Sequence, residues 1–154
     1  MKKLLALLLA LLLTFTMVCG FAEQEIEVDL EEGCAYDGET WVDYGGAYYS
    51  CEEVALYLYA FGCLPVQYLT KNEARSLGWS ASAGNLWKVT DGGCIGGDHF
   101  GNYEGVLPDR DYRECDIDYH GGKRSGKRLV FSEDGFIYYT DDHYESFELL
   151  YGEE

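Results

Sequence analysis

The sequence predicts an α+β fold with an antiparallel sheet, because helix signals come first along the chain and strand signals follow. Three capped or periodic helical segments lie between Ser50 and Val89, and five strand-like runs lie between Cys94 and Tyr151. Asp91-Gly92-Gly93 separates the two groups and marks the change of period. The elements are preceded by a leader and an acidic stretch.

Met1-Lys2-Lys3 is positive, Leu4 to Leu13 is an unbroken apolar run, and Gly20-Phe21-Ala22 offers small residues at the positions a signal peptidase reads. Residues 1–22 are therefore expected to be a signal peptide cleaved after Ala22, and the protein to be secreted. The apolar run is short for a membrane span, so no membrane attachment is expected once it is removed. A lipoprotein reading through Cys19 fails because Thr16-Met17-Val18 lacks the small residues that processing needs. Removing residues 1–22 takes away Lys2 and Lys3 and no acid, which lowers the formal charge from −17 to −19. Such acidity argues against tight non-specific binding to a polyanion. The bias is uneven, however. Residues 23–53 hold no Lys or Arg, whereas Arg113, Lys123, Arg124, Lys127 and Arg128 cluster late in the chain.

Residues 23–49 carry no helical period and read as an acidic, solvated, weakly ordered extension of turns and short extended pieces around Asp37-Gly38 and Gly45-Gly46. Residues 50–154 are expected to be the functional domain. Ser50 can cap a helix whose first turn holds Glu52 and Glu53, with Val54, Leu58 and Phe61 at helical spacing and Gly62 as the stop. Thr70-Lys71-Asn72-Glu73 is a capping box for a short second helix, and Asn85 is placed to cap a third through Val89. Strands are expected over Cys94–Phe100, Arg113–Tyr119, Arg128–Ser132, Phe136–Thr140 and Phe147–Tyr151. Cleavage leaves five cysteines, and export permits disulfides. Cys51 and Cys63 stand ~18 Å apart on a helix, so Cys34 is left to pair with either one. Cys94 and Cys115 fall on runs expected to be neighbours and are the favoured disulfide. No Cys or His spacing marks a metal site.

The chemistry concentrates between Glu114 and Tyr144. A carboxylate, a basic cluster and a histidine sit on separate strand-like runs that a sheet could bring side by side. A carboxylate that accepts a proton, a histidine that donates one and arginines between them suit acid–base work on a phosphate ester. Taken singly, Glu114 reads as an outward strand residue, His143 as a loop histidine and Lys71 as a surface lysine. Asp98 reads as a structural carboxylate bonding backbone or an arginine, and His99 and His120 read as surface residues.

Taken together, LPVQYLTKNEARSLGW, IGGDHFGNYEG, RECDIDY, the pair Arg124 and Arg128, and IYYTDDHY resemble the barnase-like bacterial extracellular guanyl-preferring ribonucleases. The resemblance runs from about Ser50 to Phe147, with several motifs in order. It implies three N-terminal helices packed on a five-stranded antiparallel sheet. It implies Glu114 as general base, His143 as general acid, and Lys71, Arg124 and Arg128 as cations around the scissile phosphate. The loop Gly101, Asn102, Tyr103 and Glu104 would hold guanine, with Tyr144 beside the acid. Single-stranded RNA is the implied substrate, cut without metal or cofactor through a 2′,3′-cyclic phosphate, and DNA would not be cleaved for want of the 2′-hydroxyl. A monomer and an intracellular barstar-like inhibitor are also implied. Tyr103 stands where the family often has an arginine, Lys123 where it has an aromatic residue, and the loop Leu107–Tyr112 is shorter. The competing reading is an inactive RNA- or inhibitor-binding protein on the same fold.

Overall fold

The computed structural model describes residues 25–153, so the expected leader, its cleavage position and Cys19 lie outside the described residues. Helices form where the capping chemistry is strongest. α1 (Cys51–Phe61) opens on Ser50 and Glu53, each side chain accepting from the other's backbone N–H. It stops at Gly62, whose φ of 66° suits a residue without Cβ. α2 (Lys71–Ser76) opens on the same reciprocal box between Thr70 and Glu73. α3 (Leu86–Val89) is a single short turn. Asn85 precedes it but makes no cap, because its side chain accepts from Ser80 N and donates to Gly78 O.

The sheet differs from the expected five-stranded one. Strands β5 (Cys94–Phe100), β6 (Tyr112–Asp116), β7 (Arg128–Ser132), β8 (Ile137–Thr140) and β9 (Glu148–Tyr151) form the antiparallel series. A two-residue strand β4 (Tyr68–Leu69) adds a sixth member, pairing in parallel with β5. The acidic stretch is also ordered, against the reading of a solvated extension. β1 (Glu27–Asp29), β2 (Cys34–Tyr36) and β3 (Trp41–Asp43) form a separate antiparallel sheet. Its inward residues Ala35 and Val42 pack with Leu56 and Tyr57 on the outer side of α1. Alternation explains it: in each of β2 and β3 one small apolar residue faces inward between two outward neighbours.

The other side of α1 packs Val54, Ala55 and Leu58 against Cys115, Ile117, Leu129 and Ile137. A smaller cluster joins Ala74, Trp79 and Leu86 to Cys94, Ile95 and Tyr119. The Cys94–Cys115 disulfide is not formed, and Cys34, Cys51 and Cys63 are free thiols as well. Gly96, not Cys94, stands opposite Cys115, so the two cysteines are diagonal neighbours. That offset places Cα atoms ~7–8 Å apart, beyond the reach of an S–S bond. Burial pushes the Cys94 thiol up to about 12 and raises the Cys115 thiol as well. No helix among the described residues is long and apolar enough to cross a membrane.

Candidate active site

The sheet face turned away from α1 carries the polar groups. Side chains alternate along a strand, so Glu114 and Asp116 share that face while Cys115 points into the core. Register then sets Asp98, Glu114, Val130 and Tyr138 in one cross-strand row, and Asp116, Arg128 and Thr140 in the next. An apolar cluster of Tyr112, Val130, Phe136 and Tyr138 supports one end of this face.

Glu114 is 7% exposed, and both its oxygens are engaged. Lys71 Nζ donates to Oε1 and Tyr144 Oη to Oε2. Lys71 comes from the first turn of α2, which is fastened to the sheet by Lys71 N donating to Asp98 Oδ2 at 2.9 Å. Asp98 thus bonds backbone, as its structural reading expects, and delivers the lysine to Glu114. Burial alone would raise the Glu114 pKa. The hydrogen bonds from Lys71 and Tyr144, with the charges of Lys71 and Arg128, outweigh it and hold the carboxyl below its ordinary range. The Tyr144 hydroxyl moves the other way, raised by burial and by its bond to Glu114.

The two arginines are organised by a residue that sequence reasoning missed. Asp116, 2% exposed, accepts from Arg124 Nε and Nη2 at 2.6 Å each. Arg128 Nε lies 2.9 Å from Asp116 Oδ1, without the alignment of a hydrogen bond, and remains a buried donor with no acceptor. Arg128 Nη1 donates to the carbonyls of Ser125 and Lys127. The signal for Asp116 was present: it follows Glu114 at the two-residue spacing that shares a strand face. Lys127 is drawn aside to Asp118 at 2.7 Å. Lys123 is exposed at the rim.

His143 stands in the loop after β8, with φ of 60°, and Tyr144 follows at 76°. Its imidazole is exposed, 4.8 Å from the Tyr144 ring between centroids. It borders two cavities. One, of about 520 Å³, is lined by Arg124, Arg128, Lys123 and Ser82. The other, of about 310 Å³, is lined by Phe100, Gly101, Asn102, Tyr103, Glu104 and Tyr144. The loop Gly101–Glu104 is held by Asn102, whose amide donates to Leu107 O at 2.7 Å and accepts from Leu107 N at 3.2 Å. Glu104 and Tyr103 are exposed, Tyr103 at 94%. The structure therefore gathers all ten candidate residues around His143, Tyr144 and the Glu114 pair. A further cavity of about 670 Å³ lies on the helix side of the sheet and is lined by none of them. Among the described residues, no group of three or more His, Cys, Asp or Glu side chains is placed to hold a metal ion.

A family model described as ribonuclease matches residues 52–151. A ribonuclease of Heyndrickxia coagulans is 52% identical over 97 residues, covering 61% of this chain and 89% of that protein. Ribonucleases of Bacillus intermedius and Bacillus pumilus are also 52% identical over 97 residues, but the aligned stretch spans only 60% of their length. The matched residues contain the Thr70–Glu73 cap, all five strands of the antiparallel series and every side chain of the site. On these grounds the chain belongs to the ribonuclease family.

Proposed function

We propose that this chain is a secreted endoribonuclease that cleaves single-stranded RNA after guanine. The observation that carries the reading is Glu114. It is a buried carboxylate kept ionised by Lys71, Tyr144 and Arg128, while His143 stands at the mouth of the arginine-lined cavity beside it. An ionised carboxylate is a proton acceptor, and each oxygen keeps a further lone pair after accepting from Lys71 or Tyr144. Glu114 takes the proton of the ribose 2′-hydroxyl, and that oxygen attacks the adjacent phosphorus. The P–O5′ bond breaks as His143 protonates the departing 5′-oxygen. The nucleophile belongs to the substrate, so the attack is intramolecular and asks no metal for an activated water. Lys71, Arg124 and Arg128 offset charge on the phosphoryl oxygens. The 2′,3′-cyclic phosphate released is hydrolysed more slowly to a 3′-phosphate with the two roles reversed.

Guanine would lie in the cavity of residues 101–104, its N1 and N2 hydrogens donating to Glu104 and its O6 accepting from backbone amides of the loop. DNA, without the 2′-hydroxyl, is not cut. The leader supports export, and an enzyme of this kind calls for an intracellular inhibitor that reads the basic site through acidic residues. The acidic body predicts weaker affinity for long RNA and a shallow salt dependence.

The test is purified protein with a guanine-first dinucleotide in EDTA. A cyclic phosphate product is expected, with Glu114→Gln and His143→Gln each slowed by roughly 10²–10⁴-fold. Absence of that product, or turnover only with added metal, would refute the reading. Binding without turnover would return the inactive RNA-binding alternative.

A further inference from the structure

His143 owes its place to a loop that its neighbour Asp142 folds. Asp142 Oδ1 accepts from Thr140 Oγ1 at 2.9 Å, Glu145 N at 2.9 Å and Ser146 N at 3.0 Å, and Oδ2 accepts from Ser146 Oγ at 2.5 Å. Thr140 Oγ1 in turn accepts from Tyr144 N at 3.1 Å. The chain inside this ring runs through two consecutive left-handed residues that are not glycine, His143 and Tyr144. Each such conformation is strained for a residue with a Cβ and persists only where surroundings over-determine it. Here one carboxylate supplies most of the restraint. The network is also keyed to the cation site, because Thr140 is buried and stands opposite Arg128 in the sheet. On the other side the loop is approached closely by Gly126. A Cβ there would come within 3.2 Å of Asp141 O, 3.3 Å of His143 N and 3.4 Å of His143 Cβ.

We infer that Asp142 is a positioning residue for His143. Its carboxylate holds residues 140–146 in the one loop shape that sets His143 and Tyr144 at left-handed φ, and so determines where the imidazole delivers its proton. The inference rests on the proposed role of His143 as acid. Hydrogen bonds from Ser146 above all hold the Asp142 carboxyl down to about 2, so the ring stays closed across the pH range in which the enzyme would work.

Two substrates separate positioning from general damage. Guanylyl(3′→5′)adenosine expels a poor alkoxide and needs the acid, whereas guanosine 3′-(4-nitrophenyl phosphate) expels a phenolate that needs little protonation. Asp142→Ala is expected to slow kcat on the dinucleotide by roughly 10–100-fold, the scale of a misplaced catalytic group. Because Tyr144 moves with the loop, KM and the nitrophenyl ester should change too, but several-fold less than kcat on the dinucleotide. Asp142→Asn keeps one acceptor oxygen and should recover part of the loss. Gly126→Ala, which crowds Asp141 O and His143 from outside the hydrogen-bonded ring, should show the same selectivity. Equal loss on both substrates, or none on either, overturns the inference. One-bond Cα–Hα couplings at His143 and Tyr144 report the sign of φ whether or not the protein turns over. Retention of positive φ in Asp142→Ala overturns it equally, while loss of positive φ with no leaving-group selectivity in His143→Ala would instead remove His143 as the acid.

Discussion

Asp116→Ala is the substitution whose cost the structure defines best. Asp116 is 2% exposed and is the counter-charge of two arginines, one of them, Arg128, only 3% exposed. Removing the carboxylate leaves a buried guanidinium and a part-buried one facing each other without compensation. Breaking a buried pair by deleting one partner costs ~3–5 kcal/mol. Arg124→Ala differs in the exposure of the side chain removed and in what it leaves behind. Its side chain is 20% exposed, and Asp116 keeps Arg128, so about 1–2 kcal/mol is expected. A domain of this size has ~5–15 kcal/mol in all, so Asp116→Ala should lower Tm by roughly 10–15 °C. Asp116→Asn should fall between. Urea unfolding at neutral pH, followed by tryptophan fluorescence, measures all three against the parent. An Asp116→Ala protein within about 1 kcal/mol of the parent, or an Arg124→Ala protein as damaged as it, would refute the view of Asp116 as the common anchor.

Four further outcomes are expected. Lys71 favours the ionised form of Glu114, so Lys71→Met should raise that pKa and move the acid limb of the kcat/KM profile to higher pH; a limb that stays put would contradict the pairing. The same depressed pKa means that the Glu114 contribution to stability is present above the ordinary carboxylate range of ~4.3 and lost as pH falls below it. Glu114→Gln should therefore flatten acid unfolding. Deleting residues 25–43 uncovers Leu56 and Tyr57 on α1 and should cost ~3–5 kcal/mol. Dinucleotide turnover at low temperature should stay unchanged, since that sheet packs on the far side of α1. Thiol titration should find Cys63 reactive in the native state and Cys94 and Cys115 only after unfolding, with no change in unfolding midpoint on adding reductant.

Much of this was legible residue by residue. Thr70 with Glu73 forms the capping box that its sequence predicts, Ser50 caps as expected and adds a reciprocal bond with Glu53, and Gly62 ends α1. Cys94–Phe100 and Arg128–Ser132 form strands over the expected limits. Asn85 misled because an asparagine side chain can serve any nearby backbone group, and this one is taken by Gly78 O and Ser80 N. The disulfide misled for a similar reason. Neighbouring strands were a sound expectation, but two residues of register decide whether sulfurs meet, and a bulge between Gly96 and Asp98 helps to set that register. The extension misled because its acidity outweighed a two-residue apolar alternation, too short to register as a strand pattern until α1 offers it a surface.

By itself, the sequence determined the order of helices and strands, the caps, and the residue types of an acid–base site, since these depend on neighbours within a few positions. It also placed Glu114, His143 and the arginines as candidates. Only the tertiary structure decided how they are joined. Sheet register set Asp116 against Arg128 and Thr140, a bond from Lys71 N to Asp98 carried the lysine to Glu114, and a ring of hydrogen bonds on Asp142 turned His143 and Tyr144 into left-handed backbone. Each of these is a contact between chemistry visible in the sequence and a position that exists only once distant segments pack. Packing then changes what the same groups do: Lys71, Tyr144 and Arg128 hold Glu114 ionised against its burial, and burial leaves the Cys94 and Cys115 thiols inert.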